Sequence, residues 1–128
     1  MITEDMKIAM QGILPSLIAT CDADGIPNIA VISQTYYIDK DHVAISHQFF
    51  NKTIRNIQSN PHVCLMIIHP SEVAMWMLHA THSHAENEGE LFDQMVMQLE
   101  AIASMIGMEG VFKLQAAEVF NVDSVEFR

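Results

Sequence analysis

Residues Ser46–Ile68 read SHQFFNKTIRNIQSNPHVCLMII. Up to Phe50 the pattern is that of a strand. From Asn51 the spacing changes: Thr53, Ile54, Ile57 and Gln58 suit one or two helical turns, Pro61 biases Asn60 away from the helix, and strand patterning resumes in His62–Ile68. Lys52 and Arg55 flank Thr53 at this helix start, in a chain with only 6 Lys plus Arg against 16 Asp plus Glu. A helix start carries unpaired backbone N–H groups and the positive end of the helix dipole, so it binds anions, phosphate in particular. Lys52 adds a point charge there, Asn51 and Thr53 add hydrogen-bonding side chains, and Arg55 adds a second cation one turn on. A plainer explanation stands beside this one: Asn51 caps the helix and the two cations are solvated. The spacing alone leaves both open.

Working outward, the segment Thr3–Gln11 alternates polar and apolar residues at helical spacing and meets a stop at Gly12. LPSLIATC is a strand closed by the turn DADGIP; NIAVISQTYYI is a second strand, and DKD turns it into a third, HVAISHQFF. After HVCLMII and the HPS turn, EVAMWMLHATHSHA is a long extended segment, with Val73, Met75 and Met77 on one face and Trp76 and Leu78 on the other. ENEGELFDQMVMQLEAIASMIGM is a long helix whose stripe is Leu91, Met95, Leu99, Ile102 and Ile106, with acids at its start and Gly107 past its end. VFKLQAAEVFNVDSVEF closes the chain as one or two further strands. About six strands with one short helix after strand 3 and one long helix in the C-terminal half make an α+β domain, an antiparallel barrel or strongly curled sheet.

The 128 residues fit one domain, 1–128, and half of them are hydrophobic. A formal net charge of -10 disfavours nucleic acid and anionic membranes alike. Cys21 and Cys64 lie in apolar strand contexts and read as buried free thiols of a reducing compartment. Glu4 and Asp5 sit where an export signal would be positive, and no run approaches the roughly 20 apolar residues of a spanning helix, so a cytoplasmic location is expected. The methionines, 10 in all, read mostly as core filler.

The ordered set IATCDADGIPNIAVIS, then YYIDKDHVAISHQFFNKTIRNIQSNPHVCLMII, resembles the pyridoxamine 5′-phosphate oxidase-like, FMN-binding split β-barrel family. That family pairs a D-x-x-G-x-P turn with a third strand leading to a basic-Thr/Ser helix start and an "NP.V.L" strand. The resemblance implies that Asn51, Lys52 and Thr53 hold the FMN phosphate, in agreement with the anion argument. It places the flavin ring along Val31, Ile32, Ser33 and Gln34, with Ser33 and Gln34 offering polar contacts, and Ser46, His47 and Gln48 beside the ribityl chain. It further implies a homodimer with shared flavin sites and redox chemistry between the flavin and a small-molecule substrate or electron donor. Two departures matter. The chain ends in NVDSVEFR without the Arg and His pair that grips substrate phosphate in the true oxidase, so oxidation of a B6 vitamer is not expected. Lys52 and Thr53 also occupy places that resemble Arg and Lys there, one cation fewer.

LHATHSHA brings His79, His82 and His84 close in sequence, and on a regular strand His82 and His84 share a face, as two imidazoles approaching one metal or haem would. No third ligand is visible, and exposed or salt-paired histidines beside the acidic ENEGE helix start are the better account of the stretch; no metal site is assigned. Trp76, Tyr36 and Tyr37 suit either a flavin pocket or the core. No residue pair reads as a dedicated acid-base couple, so catalytic residues stay unassigned. The reading is an FMN-dependent oxidoreductase; the alternative is a non-catalytic FMN- or haem-binding or sensing module.

Overall fold

Thr3 starts the first helix, α1 (Glu4–Met10), by accepting a hydrogen bond from Met6 N–H at 3.4 Å. The computed structural model describes residues 1–47, 51–107 and 113–128. After α1 come β1 (Ser16–Cys21), β2 (Pro27–Ile32), β3 (Tyr36–Asp39) and β4 (His42–His47). Then follow α2 (Lys52–Ser59), β5 (His62–Ile68), β6 (Met75–Glu86), α3 (Glu90–Met105) and β7 (Ala116–Phe127). The strands form one sheet in the order β2-β1-β5-β6-β7-β4-β3, with each paired neighbour antiparallel. This is a split β-barrel.

The sheet wraps one interior. Ile18, Val43, Ile45, Leu65, Ile67, Leu78 and Phe120 fill it, α1 adds Met6 and Met10, and α2 adds Ile54 and Ile57. A second cluster lies where Met95 and Leu99 of α3 meet Tyr36, Ala44 and Ala117. Ala44 and Ala117 therefore face α3 while their neighbours Val43, Ile45 and Phe120 face the interior, which is why both strands are buried on consecutive residues there.

Three expectations change. The strand expected over NIAVISQTYYI is two, β2 and β3, giving seven strands rather than six, so the short helix follows the fourth strand. The break has a tertiary cause: Thr35 donates its N–H to Met10 O at 3.2 Å and its hydroxyl to Ser16 Oγ at 3.1 Å, bonds that a continuous ladder would not allow. On α3 the buried residues are Met95, Leu99 and Ala103, whereas Ile102 and Ile106 are exposed. Cys21 and Cys64 are free but only half-buried, on the outer face of the sheet. Burial, with the charge of Glu126 second, pushes the Cys64 thiol above its ordinary range, which makes it a poor nucleophile.

Gly12 joins α1 to the β2–β3 break. Its φ of 85° is left-handed, and a Cβ there would stand 2.5 Å from Ser33 O and 2.9 Å from Gln34 Cβ. Gly12→Ala is expected to destabilise the fold by at least the 1–2 kcal/mol of a left-handed L-residue. A urea midpoint unchanged from that of the parent would show that this junction is not fixed by backbone contact.

Candidate functional site

Asn51 is extended, with φ -145° and ψ 176°, and its side-chain oxygen accepts from Ile54 N–H at 3.0 Å, so it is the N-cap of α2. Capping and anion binding are compatible, because the N–H groups of Lys52 and Thr53 precede any intrahelical acceptor. The first turn holds no acidic residue; Lys52 is exposed and Thr53 is buried. The cationic face of this helix start is therefore Lys52, with Arg55 exposed one turn on.

Ser46 and His47 end β4 opposite Ala117 and Ala116, and His47 O accepts from Gln115 N–H at 2.7 Å. Gln48 lies outside the described residues. Val31 is 68% exposed on the outer face of β2, Ile32 packs inward against the core, and Ser33 is exposed. Gln34 donates its amide to Gln98 Oε1 of α3 at 3.1 Å. The structure does not gather these residues at one point. Asn56 of α2 donates to Thr20 Oγ1 at 3.0 Å, while Ile32 pairs with Ser16, so Ser33 and Gln34 lie beyond the opposite end of β1. Four strand residues separate Thr20 from Ser16, about 13 Å. Only an extended ligand spans both groups.

The histidines of β6 part company. A β-bulge between His82 and His84 breaks their shared face. His79 Nε2 meets Glu126 Oε1 at 2.6 Å and His84 Nε2 meets Glu86 Oε2 at 2.7 Å, both exposed pairs. His82 turns inward to Glu118 Oε1 at 2.9 Å, and its ring sits edge-on to Phe120 with centroids 5.3 Å apart. Glu118 Oε2 faces His47 Nδ1 at 3.4 Å. Among the described residues no group of three His, Cys, Asp or Glu side chains is placed to hold a metal ion. The sequence reading missed Glu118, although a single acid within the apolar run AAEVF is a signal, because a buried carboxylate requires partners. Of the aromatic candidates, Tyr36 is core, Tyr37 is exposed with Lys7 Nζ 4.1 Å over its ring, and Trp76 packs on Phe127.

A curled antiparallel sheet with a capped, acid-free helix start after its fourth strand is the split-barrel architecture. The sequence matches the pyridoxamine 5′-phosphate oxidase family over residues 2–123, and the chain belongs to that family. It is 27% identical to an uncharacterized protein of Methanocaldococcus jannaschii over 125 residues, covering 96% of this chain and 82% of that protein. Among solved structures it is similar to an FMN-binding protein of Syntrophomonas wolfei subsp. wolfei, with a TM-score of 0.81 at 20% identity over 97% of this chain and 83% of that one. HutZ, a heme storage protein of Vibrio cholerae, superposes with a TM-score of 0.64 at 20% identity, covering 98% and 93% of the two chains. At these identities the structural likenesses establish the fold.

Proposed function

We propose that the chain is a homodimeric FMN-binding protein that supports flavin-dependent oxidoreduction of a small molecule. The observation that carries the reading is the start of α2: an acid-free first turn bearing exposed Lys52 in a chain of net charge -10. In this scheme Lys52 and the first-turn N–H groups bind the phosphate, and Asn51 keeps the helix start in register by capping it. Ser33 and Gln34 meet the ring, and Ser46 and His47 flank the ribityl chain. Bound FMN supplies hydride or electron transfer; the protein supplies orientation, charge and exclusion of water. The family and the Syntrophomonas wolfei likeness support the cofactor.

An exposed apolar face supports the dimeric part of this reading. The outer face of the sheet carries Ile29 and Val31 on β2, 71% and 68% exposed, beside Leu17 and Ala19 on β1, with Met66 and Met77 on β5 and β6. An apolar patch of this kind marks an interaction surface, and a two-fold axis covers it twice over with the same residues. Among the described residues no helix is long and apolar enough to cross a membrane. The two free thiols fit a reducing, cytoplasmic compartment.

Lys52→Ala tests the phosphate assignment. A charged hydrogen bond contributes about 1.5–3 kcal/mol, so FMN is expected to bind about tenfold or more weakly to the variant, with riboflavin, which lacks the phosphate, little affected. Equal losses for both ligands would remove Lys52 from the phosphate site. The visible spectrum after FMN loading and desalting tests the cofactor itself: flavin bands near one per chain support it. A protein that retains no flavin but gains a Soret band with haem would instead favour the haem-handling role described for HutZ.

A further inference from the structure

Strand alternation turns Cys21 and Cys64 the same way. On β1 the buried Ile18 and Thr20 face inward, and on β5 Val63, Leu65 and Ile67 do so, which leaves Ala19, Cys21, Cys64 and Met66 on the outer face. Ala19 pairs across from Cys64, so Cys21, two residues on, is the diagonal neighbour of that thiol. Both cysteines are free and half-buried, and both wall one cavity of about 250 Å³ that Ala19 and Pro27 line with hydrocarbon. Met66, the next outward residue of β5, pairs with Met77 of β6, so four sulfur side chains share one face across three strands.

A disulfide does not suit this pair. Diagonal neighbours stand about 7–8 Å apart at Cα, beyond the roughly 4.4–6.8 Å that a disulfide spans. A thiol nucleophile does not suit it either, since burial and then Glu126 hold the Cys64 thiol protonated. A bridging metal ion fits the spacing: two metal–sulfur bonds of about 2.3 Å in line put the sulfurs about 4.6 Å apart. Among the described residues no group of three His, Cys, Asp or Glu side chains can hold a metal ion, so an ion that needs four such ligands has no place there. Two thiols are enough for a soft ion of low coordination number.

We propose that Cys21 and Cys64 bind one soft monovalent metal ion, copper(I) in its chemistry, between their two sulfurs. Each thiol gives its proton to solvent as its metal–sulfur bond forms. The hydrocarbon of Ala19 and Pro27 keeps water from the ion, and Met66 and Met77 extend the soft face beside it. The site shares no residue with the proposed flavin site and does not rest on it.

Anaerobic titration of the reduced full chain, without added flavin, against a chromophoric copper(I) chelator is expected to show one ion per chain at every dilution. X-ray absorption should report two sulfur ligands. Cys21→Ser and Cys64→Ser should each weaken binding about hundredfold or more, because the second thiolate binds intramolecularly. Both positions are only half-buried, so the serine variants should fold. Two ions per chain, with each variant keeping one at unchanged affinity, would mean two independent thiols and overturn the pairing. One ion per two chains would overturn it too, as would no uptake at all. Uptake that survives in the double serine variant would move the ion to Met66 and Met77 and refute the assignment. Lys52→Ala should take up copper(I) as the parent does, so failure of the cofactor reading would be seen apart from failure of this one.

Discussion

In the proposed FMN-binding dimer, replacing Ile29 and Val31 together by Asp is expected to leave a monomer at micromolar concentration and to release the flavin with it. Both side chains lie on the outer face of β2, where Val31 pairs across from Leu17 and Ile29 from Ala19. Full burial of a Val or Ile contributes about 1.5–3 kcal/mol, and roughly a third of each is already covered in one chain, so the interface recovers about 1–2 kcal/mol per side chain. Four such side chains meet across a two-fold axis, about 4–8 kcal/mol, against the roughly 8 kcal/mol of a micromolar dimer. The introduced carboxylates add desolvation to that loss and face each other's copies. Since neither residue lies in the interior, the monomer should retain its fold by far-UV circular dichroism. Sedimentation equilibrium decides the matter: a double variant that remains dimeric would move the interface elsewhere, for instance to the exposed Met97 and Met105 of α3. A monomer that still holds flavin would show that the site is complete within one chain.

Much of this was legible because it is local. Asn51, Pro61 and the interval between them define α2 from capping and backbone restriction alone, and the DADGIP turn closes as its composition requires, with Asp22 Oδ1 accepting from the N–H groups of Asp24 and Ile26. What escaped reading is set by distant partners. NIAVISQTYYI alternates as one strand would, and only the bonds of Thr35 to Met10 and Ser16 divide it. The pairing of His82 with Glu118 needs a bulge that strict alternation cannot show, together with a carboxylate from another strand. On α3 the apolar stripe predicts Ile102 and Ile106 as buried, but the neighbouring elements receive Ala103 instead, a residue too small to announce itself. The capped, acid-free start of α2 is thus a sequence-level feature, whereas the His47–Glu118–His82 cluster exists only once β4, β6 and β7 are assembled. That difference explains why the helix start was readable from the chain and the buried cluster was not.

Phe120→Ala is expected to cost about 3–5 kcal/mol, the ordinary range for removing a buried aromatic ring, and to bring a domain of typical 5–15 kcal/mol stability close to unfolding. Phe120 is fully buried, pairs across from Val43 on β4 and from His82 on β6, and belongs to the interior cluster that both α1 and α2 help to close. Urea unfolding measures the change, and a loss below about 1 kcal/mol would mean that the interior is not packed around this ring. Phe120 also fixes one wall of the cluster: its ring stands at 67° to the imidazole of His82, which in turn holds Glu118. Phe120→Leu separates the two contributions. Leu keeps the site apolar and much of its volume, so stability should fall by far less than with Ala, while the edge-on contact with His82 is lost altogether. The His82 ring resonances should therefore shift and broaden in a protein that remains folded. Sharp, unshifted His82 signals in that variant would show that the carboxylate alone orients the imidazole, and that the aromatic contact serves packing only.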